Sequence, residues 1–319
     1  MDIQKLSQRI MRETEKIIIG KTDKVRLIVM SILAGGHVLL EDLPGVGKTT
    51  MVKSVSRALG LNHARIQFVP DLLPSDIIGM QIYDQKTGDF VLREGPVMTN
   101  VLLADEINRA IPRTQAALLE AMEENQISID NRILPLPQPF LVLATQNPVE
   151  SESTFQLPAA QMDRFLIRIS MGYPKPEEER EMLFRLGDSM PLDSVQAVTD
   201  ASELLSAREA ISKVYVSDVV ADYMIAIAEA TRNHPELKMG VSPRGTRSLY
   251  RAAKVWAAMA GRDYVTPDDV KELALPVLSH RVLLKSNAKM TGLTQEKILC
   301  EILDSVNCNV DAKRTFHEA

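Results

Sequence analysis

Short apolar runs separated by amphipathic stretches organise the first half of the chain. The runs are brief and rich in Val, Ile, Leu and Phe, which is typical of strands buried on both faces of a sheet. They occupy residues 38–40, 65–69, 100–104, 140–144 and 165–169. Because these strands alternate with helices over residues 35–170, the pattern predicts a parallel sheet covered by helices on both faces.

Apolar residues at helical spacing lie between the predicted strands. They predict helices over residues 2–16, 24–33, 51–59 and 112–125, the last one opened by Pro112. Hairpins are predicted over residues 81–92 and 126–137, each around a polar turn. Residues 70–79 contain Pro70, Pro74 and Gly79, and we predict a loop there.

The pattern changes after the Pro-rich segment 172–176. Every strong periodicity beyond it is helical, over residues 177–186, 202–213, 217–232, 243–260, 267–278 and 294–306. Thr266, Pro267 and the acids Asp268 and Asp269 form a clear helix start. We therefore predict an αβα domain over residues 1–172 and an all-helical domain over residues 173–319.

Composition narrows the class of protein. The chain has 319 residues, 45% of them hydrophobic and 25% charged, as in ordinary globular proteins. The pattern predicts neither a signal peptide nor a membrane span. Cys300 and Cys308 lack metal-site spacing and fit free thiols in a reducing cytoplasm. A net charge of -5 argues against nonspecific binding of nucleic acid.

A glycine-rich turn joins the first predicted strand to a helix. Strand, turn and helix form the context of a phosphate-binding loop, in which the amide groups of Gly45, Val46, Gly47, Lys48 and Thr49 face a phosphate. Lys48 would reach the β- and γ-phosphates and the Thr49 hydroxyl would bind Mg²⁺. The first glycine of the usual pattern is replaced by Asp42. The alternative is an ordinary turn with a solvated lysine.

Two acids follow the strand at residues 100–104. Ligands bind at the carboxyl ends of parallel strands, so Asp105 would lie beside the phosphate loop and hold Mg²⁺. Glu106 could then act as the general base for an attacking water. A solvated acidic pair at the end of a strand is the alternative, which the phosphate loop upstream disfavours.

Three further polar residues have two possible roles each, one functional and one purely structural. Asn147 could hydrogen-bond the attacking water or the γ-phosphate, or it could simply form an Asn-Pro turn with Pro148. Arg164, before the last strand, and Arg244, at the start of a helix, could each serve a nucleotide site or lie on the surface.

Seven motifs carry a resemblance to a known family. They are GGHVLLE (35–41), PGVGKT (44–49), ADEINRA (104–110), TQAALLEAMEE (114–124), ATQNP (144–148), LPAAQMDRF (157–165) and SPR (242–244). The chain resembles the MoxR-type AAA+ ATPases, in the helix-2-insert clade with magnesium-chelatase and minichromosome-maintenance motors. That family tolerates a non-glycine residue where Asp42 stands.

The resemblance implies a fold and a set of roles. It implies a five-stranded parallel sheet sandwiched by helices, with a helical lid domain. Asn147 would be sensor 1, Arg164 an arginine finger for a neighbouring subunit's ATP, and Arg244 sensor 2. Ile18, Ile19 and Gly20 would pack on adenine, and Thr50 would belong to the phosphate site. Arg109 and Arg113 could act across the interface.

Four functions remain open on the sequence. The first is an ATP-driven ring, expected to be a hexamer, that remodels protein partners, often proteins with von Willebrand factor A-type domains. A DNA-translocating motor would carry basic pore hairpins, whereas residues 126–137 carry only Arg132. A chelatase-type motor would share the fold. A non-hydrolysing ATP switch is disfavoured by the intact set of Lys48, Asp105 and Glu106.

Overall fold

The computed structural model describes residues 1–41, 47–130, 132–147, 155–186 and 192–308. The first part of the chain builds a sheet with its helices. Its elements are α1 (Ile3–Glu15), α2 (Thr22–Leu33), β1 (His37–Glu41), α3 (Lys48–Ala58), β2 (His63–Gln67), α4 (Pro74–Ile78), β3 (Gly79–Asp84), β4 (Asp89–Glu94), β5 (Val101–Asp105), α5 (Pro112–Glu124), β6 (Gln126–Ile129), β7 (Arg132–Pro135), β8 (Leu141–Gln146), α6 (Ala159–Met162) and β9 (Phe165–Ile169).

The second part is mainly helical. Its elements are α7 (Pro176–Leu186), α8 (Ala201–Ser212), α9 (Asp218–Asn233), β10 (Leu237–Met239), α10 (Pro243–Met259), α11 (Pro267–Leu278), β11 (Leu283–Leu284), α12 (Ser286–Met290) and α13 (Gln295–Ser305). Short 3₁₀ turns follow β5 and α11, at Ile107–Arg109 and Ser279–Arg281. The predicted start of α11 is confirmed, because Thr266 and Asp269 form a reciprocal capping box.

Five strands form one parallel sheet in the order β2-β5-β8-β1-β9. The predicted fold class is therefore confirmed. β1 lies in the interior of the sheet, between β8 and β9. Parallel neighbours cannot be joined by tight turns, so crossover connections that contain helices link the strands and cover both faces of the sheet. The hairpins β3–β4 and β6–β7 pair separately as two-stranded antiparallel sheets.

The two faces of the sheet bury different cores. Val38 and Leu40 of β1 belong to one hydrophobic cluster, and Leu39 between them belongs to the other, as the alternation of a strand requires. The first cluster continues through α1, α2 and α3 into the helices of the second part of the chain. The second cluster lies under α5 and the two hairpins. The helical part is thus packed onto one face of the sheet.

Two sequence expectations are corrected. Residues 70–79 are not all loop, because α4 begins at Pro74 and Asp76 accepts a hydrogen bond from the Leu73 amide at 2.8 Å. The second part is not all helical, because β10 and β11 pair in antiparallel fashion. Both elements are too short for their periodicity to be visible in the sequence. The domain boundary at residue 172 stays a prediction.

No helix in the described part of the chain is both long and apolar enough to cross a membrane.

The buried imidazole of His37, at the start of β1, should make the stability of the protein depend on pH. Its ring is buried, accepts a hydrogen bond from the Val142 amide at 3.0 Å, and lies 3.2 Å from the Met122 carbonyl. Burial lowers the pKa of His37 to about 4. Burial also lowers the pKa of His280 well below its ordinary value. Both imidazoles are therefore neutral in the folded protein at pH 7.

We expect His37→Gln to weaken the loss of stability in mild acid. An unfolded histidine titrates near pH 6.5, so below that pH the unfolded chain binds more protons than the folded chain. For His37 alone, the free energy of unfolding should fall by about 2 kcal/mol between pH 7 and pH 5. Urea unfolding at both pH values measures this for wild type and variant. Equal pH dependence in the two proteins would contradict the burial argument, and the exposed His63→Gln is the control.

Candidate functional site at the carboxyl edge of the sheet

Gly47 and α3 form the described part of the predicted phosphate site. Gly47 has φ 86°, in the left-handed region that favours glycine, and it caps α3, which begins at Lys48. The first turn of a helix directs its backbone amides outward, which suits an anion, and Thr49 and Thr50 lie in the first turn of α3. The first turn carries no acid that would compete for them. Gly45 and Val46 lie outside the described residues.

The sheet order brings the other predicted residues to the same edge. Glu41, which precedes the phosphate loop, is paired in register with Gln146 at the end of β8. β8 is paired with β5 on its other side, with Ala104 beside Ala144. Asn147 therefore follows the strand next to the one that leads into the loop, and Asp105 ends the strand beyond it. The predicted phosphate, magnesium and sensor residues share one edge.

The Asp105 carboxylate is held from two sides. Its Oδ1 accepts a 2.5 Å hydrogen bond from the Thr145 hydroxyl, and its Oδ2 pairs with Arg65 at 2.7 Å. Asp105 itself is 9% exposed, whereas the Arg65 side chain is half exposed. The buried Thr145 contact fixes the carboxylate in orientation, and the exposed arginine can move away if a cation approaches.

The Glu106 carboxylate projects from a constrained backbone. Glu106 has φ 56°, a left-handed conformation that is uncommon for a residue with a side chain. Its amide donates to the Thr145 hydroxyl at 2.8 Å. Its Oε2 accepts hydrogen bonds from Gln67 at 2.8 Å and from Arg109 at 2.9 Å. Both contacts are on Oε2.

Sequence reasoning missed three residues of this network, namely Arg65, Gln67 and Thr145. A usable signal was present for two of them, because Gln67 and Thr145 are polar residues at the carboxyl ends of strands β2 and β8, whereas Arg65 lies in the middle of β2. Gln67 is paired in register with Asp105, which brings its amide to the acids. Arg109, expected across the interface, contacts Glu106 of its own chain. Arg113 is exposed in the first turn of α5.

The remaining residues of this edge are placed as follows. Asn147 is 4% exposed, and its backbone carbonyl accepts a hydrogen bond from the Asn108 side chain at 3.1 Å. Ile19 is buried and Gly20 has φ 72°. A Cβ on Gly20 would lie 2.2 Å from the Glu178 carboxyl carbon, so no side chain fits there without displacing Glu178. The structure therefore explains why position 20 is glycine, whereas its contact with adenine stays a prediction.

Arg164 and Arg244 lie elsewhere. Arg164 directly precedes β9, at the amino edge of the sheet, where Phe165 is in register with His37. It pairs with Glu123 at 2.8 Å and donates to the Leu119 carbonyl. Arg244, at the start of α10, pairs with the other oxygen of the same Glu123 carboxylate. The predicted finger and sensor-2 arginines thus lie together, at the opposite edge from the phosphate site.

Arg164 and Arg244 line a cavity of about 340 Å³. Arg247 and Arg251 of α10 also line it, together with Glu123 and Asp163. Asp163 is paired with the buried Arg281 at 2.7 Å, so Arg281 neutralises the negative charge of Asp163. The cavity therefore carries an excess of positive charge, which suits an anionic ligand.

Comparison with known proteins assigns the class. The model of the ATPase family associated with various cellular activities (AAA) matches residues 37–167, and the AAA lid domain model matches residues 229–302. A crystal structure of a candidate ATPase from Cytophaga hutchinsonii is 39% identical, covers 96% of this chain and 95% of its own, and has a TM-score of 0.89. The fold is that of an AAA+ ATPase.

Two relatives define the family further. The chain is 42% identical to Chaperone MoxR1 of Mycobacterium tuberculosis, over 94% of this chain and 81% of that protein. It is 44% identical to the uncharacterized protein YeaC of Bacillus subtilis, over 97% of both chains. The chain belongs to the MoxR family of AAA+ ATPases.

Proposed function

We propose that the chain hydrolyses ATP to ADP and phosphate in a site completed by a neighbouring copy of itself. The observation that supports this is the division of the site residues between two edges of one sheet. Lys48, Asp105 and Glu106 belong to the carboxyl edge, and Arg164 and Arg244 belong to the amino edge.

The two groups of residues are too far apart to act on one nucleotide within a single chain. β1 runs from one edge to the other between residues 37 and 41, and four steps of about 3.3 Å correspond to about 13 Å. Arg164 and Arg244 are also turned towards Glu123 on the far side. They would therefore serve the nucleotide of a second copy in a head-to-tail arrangement, which closes into a ring. A six-membered ring is the form we propose for this family member.

Each residue at the carboxyl edge has a chemical role in this proposal. The α3 amides and Lys48 bind the phosphates, and Asn147 holds the attacking water. Glu106 accepts the proton of that water on Oε1, while Gln67 and Arg109 keep the carboxylate in place through Oε2. Ile19 and Gly20 would contact adenine.

The available ligands fit Mg²⁺ carried by the nucleotide. Thr49 and Asp105 supply a hydroxyl and a carboxylate, which are hard oxygen ligands. Among the described residues no group of three or more His, Cys, Asp or Glu side chains is placed to hold a metal. Mg²⁺ is commonly held by one or two protein oxygens plus phosphates, so this sparse set is sufficient. When bound, Mg²⁺ neutralises negative charge on the phosphate oxygens.

Turnover should require both the carboxyl-edge acid and assembly. We expect wild type to hydrolyse ATP when its mass in solution, measured by light scattering with ATP and Mg²⁺, is that of a ring. Glu106→Gln should bind ATP and assemble, with kcat lower by about 10²-fold or more. Glu124→Gln, an exposed residue outside the site, is the matched control. Absence of turnover in assembled wild type would refute the ATPase proposal.

Mixed rings should reveal which copy supplies the arginines. Arg164→Ala and Lys48→Ala are each expected to lower kcat by about 10³-fold, the scale of an arginine finger. In mixtures, an Arg164→Ala chain regains a complete site when a Lys48→Ala neighbour supplies its arginine, so activity should rise above that of either variant alone. Arg244→Ala should behave in the same way. Mixtures that stay at the level of the separate variants would show that the arginines act within their own chain. Arg12→Ala is the control.

A protein is the partner we propose for the motor, rather than DNA. The β3–β4 hairpin exposes Tyr83 and Phe90, whose rings meet edge to face with centroids 5.4 Å apart. Exposed paired aromatics suit a protein surface. In the described part of the β6–β7 hairpin, Arg132 is the one basic residue. By analogy with the family, the partner would be a von Willebrand factor A-type domain protein.

The hairpin aromatics should affect the partner more than the chemistry. We expect Tyr83→Ser/Phe90→Ser to keep the basal ATPase rate and to lose binding to such a domain, measured by pull-down with Glu106→Gln rings loaded with ATP. The control replaces the exposed Tyr215, which is far from the hairpin in sequence, by Ser. Stimulation of turnover by DNA, with no binding of the domain, would favour the DNA-translocating alternative.

A further inference from the structure

Glu123 holds a position that helix electrostatics alone do not favour. It lies in the last turn of α5, where the negative end of the helix dipole disfavours a carboxylate. The two oxygens of this carboxylate contact two different arginines, Arg164 and Arg244. The two cations compensate for the unfavourable position, so the three side chains form one unit.

The backbones that carry the arginines are joined to each other as well. Asp163, next to Arg164, accepts a 2.7 Å hydrogen bond from Ser242, and Ser242 caps the helix that carries Arg244. Arg281 is buried and ties Asp163 to the 3₁₀ turn after α11 through a 2.7 Å bond from its Nε. The two arginines thus start from a common base, and Glu123 joins their far ends.

A shared carboxylate leaves the arginines able to bind phosphate. A guanidinium has five N–H donors, and the contacts of Arg164 with Glu123 and Leu119 use part of them. One carboxylate also balances only one of the two positive charges. Without the carboxylate, Arg164 and Arg244 would repel each other and adopt many conformations. The free energy needed to order them would then add to the activation barrier of the reaction.

We propose that Glu123 is a positioning residue that presents Arg164 and Arg244 together to the nucleotide of the neighbouring copy. This rests on the proposed function, since the arginines must act between chains. Glu123 itself would contact no substrate atom. Its effect would therefore pass entirely through the two arginines, and it would belong to the copy that does not bind the reacting nucleotide.

Replacing the carboxylate should lower kcat without changing ATP binding. For Glu123→Gln, which keeps the shape but not the charge, we expect kcat to fall about 10-fold, with KM for ATP within about twofold, because transition-state contacts are lost. Glu123→Asp should be intermediate. Glu124→Gln, the neighbouring acid on the same helix, should match wild type. Melting temperature and ring mass, measured for each variant, show whether it folds and assembles.

Two further measurements separate positioning from a general structural effect. Glu123→Gln should cost nothing more in an Arg164→Ala/Arg244→Ala background, because both groups that it positions are already gone. Mixing Glu123→Gln with Lys48→Ala chains should restore turnover, since the Lys48→Ala neighbour supplies an intact arginine pair.

The outcomes are distinguishable. A wild-type ring without turnover would overturn the proposed function, and this proposal with it. An active wild type whose Glu123→Gln variant equals Glu124→Gln, or is faster, would overturn only the role of Glu123. Additive losses in the Arg164→Ala/Arg244→Ala background, or no recovery on mixing, would do the same. If Glu123→Gln fails to assemble, the same comparisons with Glu123→Asp decide.

Discussion

A parallel sheet sends all of its carboxyl ends to one edge, and the rest of this molecule follows from that constraint. β5, β8 and β1 are neighbours, so Asp105, Asn147 and the start of α3 converge without any long loop. The same geometry sends residues that precede strands, such as Arg164 before β9, to the opposite edge. In the proposed function, one chain therefore presents both halves of a nucleotide site but cannot close them on each other.

The helical part of the chain contributes to both edges because it shares a core with the sheet. Helices α10 and α11 belong to the hydrophobic cluster that includes α1, α2 and one face of β1. Arg281 adds polar contacts at the seam, where its guanidinium also donates to the Leu166 carbonyl at 3.1 Å. Burial lowers its pKa to about 10, which leaves it charged at neutral pH. Removing one partner from such a buried pair commonly costs about 3–5 kcal/mol.

Candidate site residues within short motifs were predictable from the sequence, whereas contacts between residues far apart in the chain were not. Lys48 follows the glycine-rich turn after β1, and Asp105 and Glu106 stand at the end of β5, in patterns that short windows reveal. The structure places β1 and β5 on either side of β8. Glu123 offered no such signal. Its partner Arg244 is 121 positions away, and in sequence it is one acid of a pair at the end of a helix. Its contacts depend on the packing of α10 beside α5, which no local pattern specifies.

The helical part shows the same limit in its secondary structure. The long helices had clear periodicity, and the predicted span of α11 is the observed one. β10 and β11 have three and two residues, fewer than the roughly four over which alternation becomes recognisable. They form because α9 and the segment after α11 come together in space, so tertiary packing rather than propensity decides them.

The net charge of the chain does not describe the local electrostatic field. The chain carries a formal charge of -5, which argues against a nonspecific grip on nucleic acid. The cavity around Arg164 and Arg244 is nevertheless positive, because Arg247 and Arg251 lie on the same side of α10. Burial lowers the pKa of Arg251, which shows that this positive charge is partly desolvated. Charges that are partly removed from water act more strongly on a ligand at short range. A confined cluster of this kind suits a compact polyphosphate presented by a neighbouring surface better than an extended polyanion.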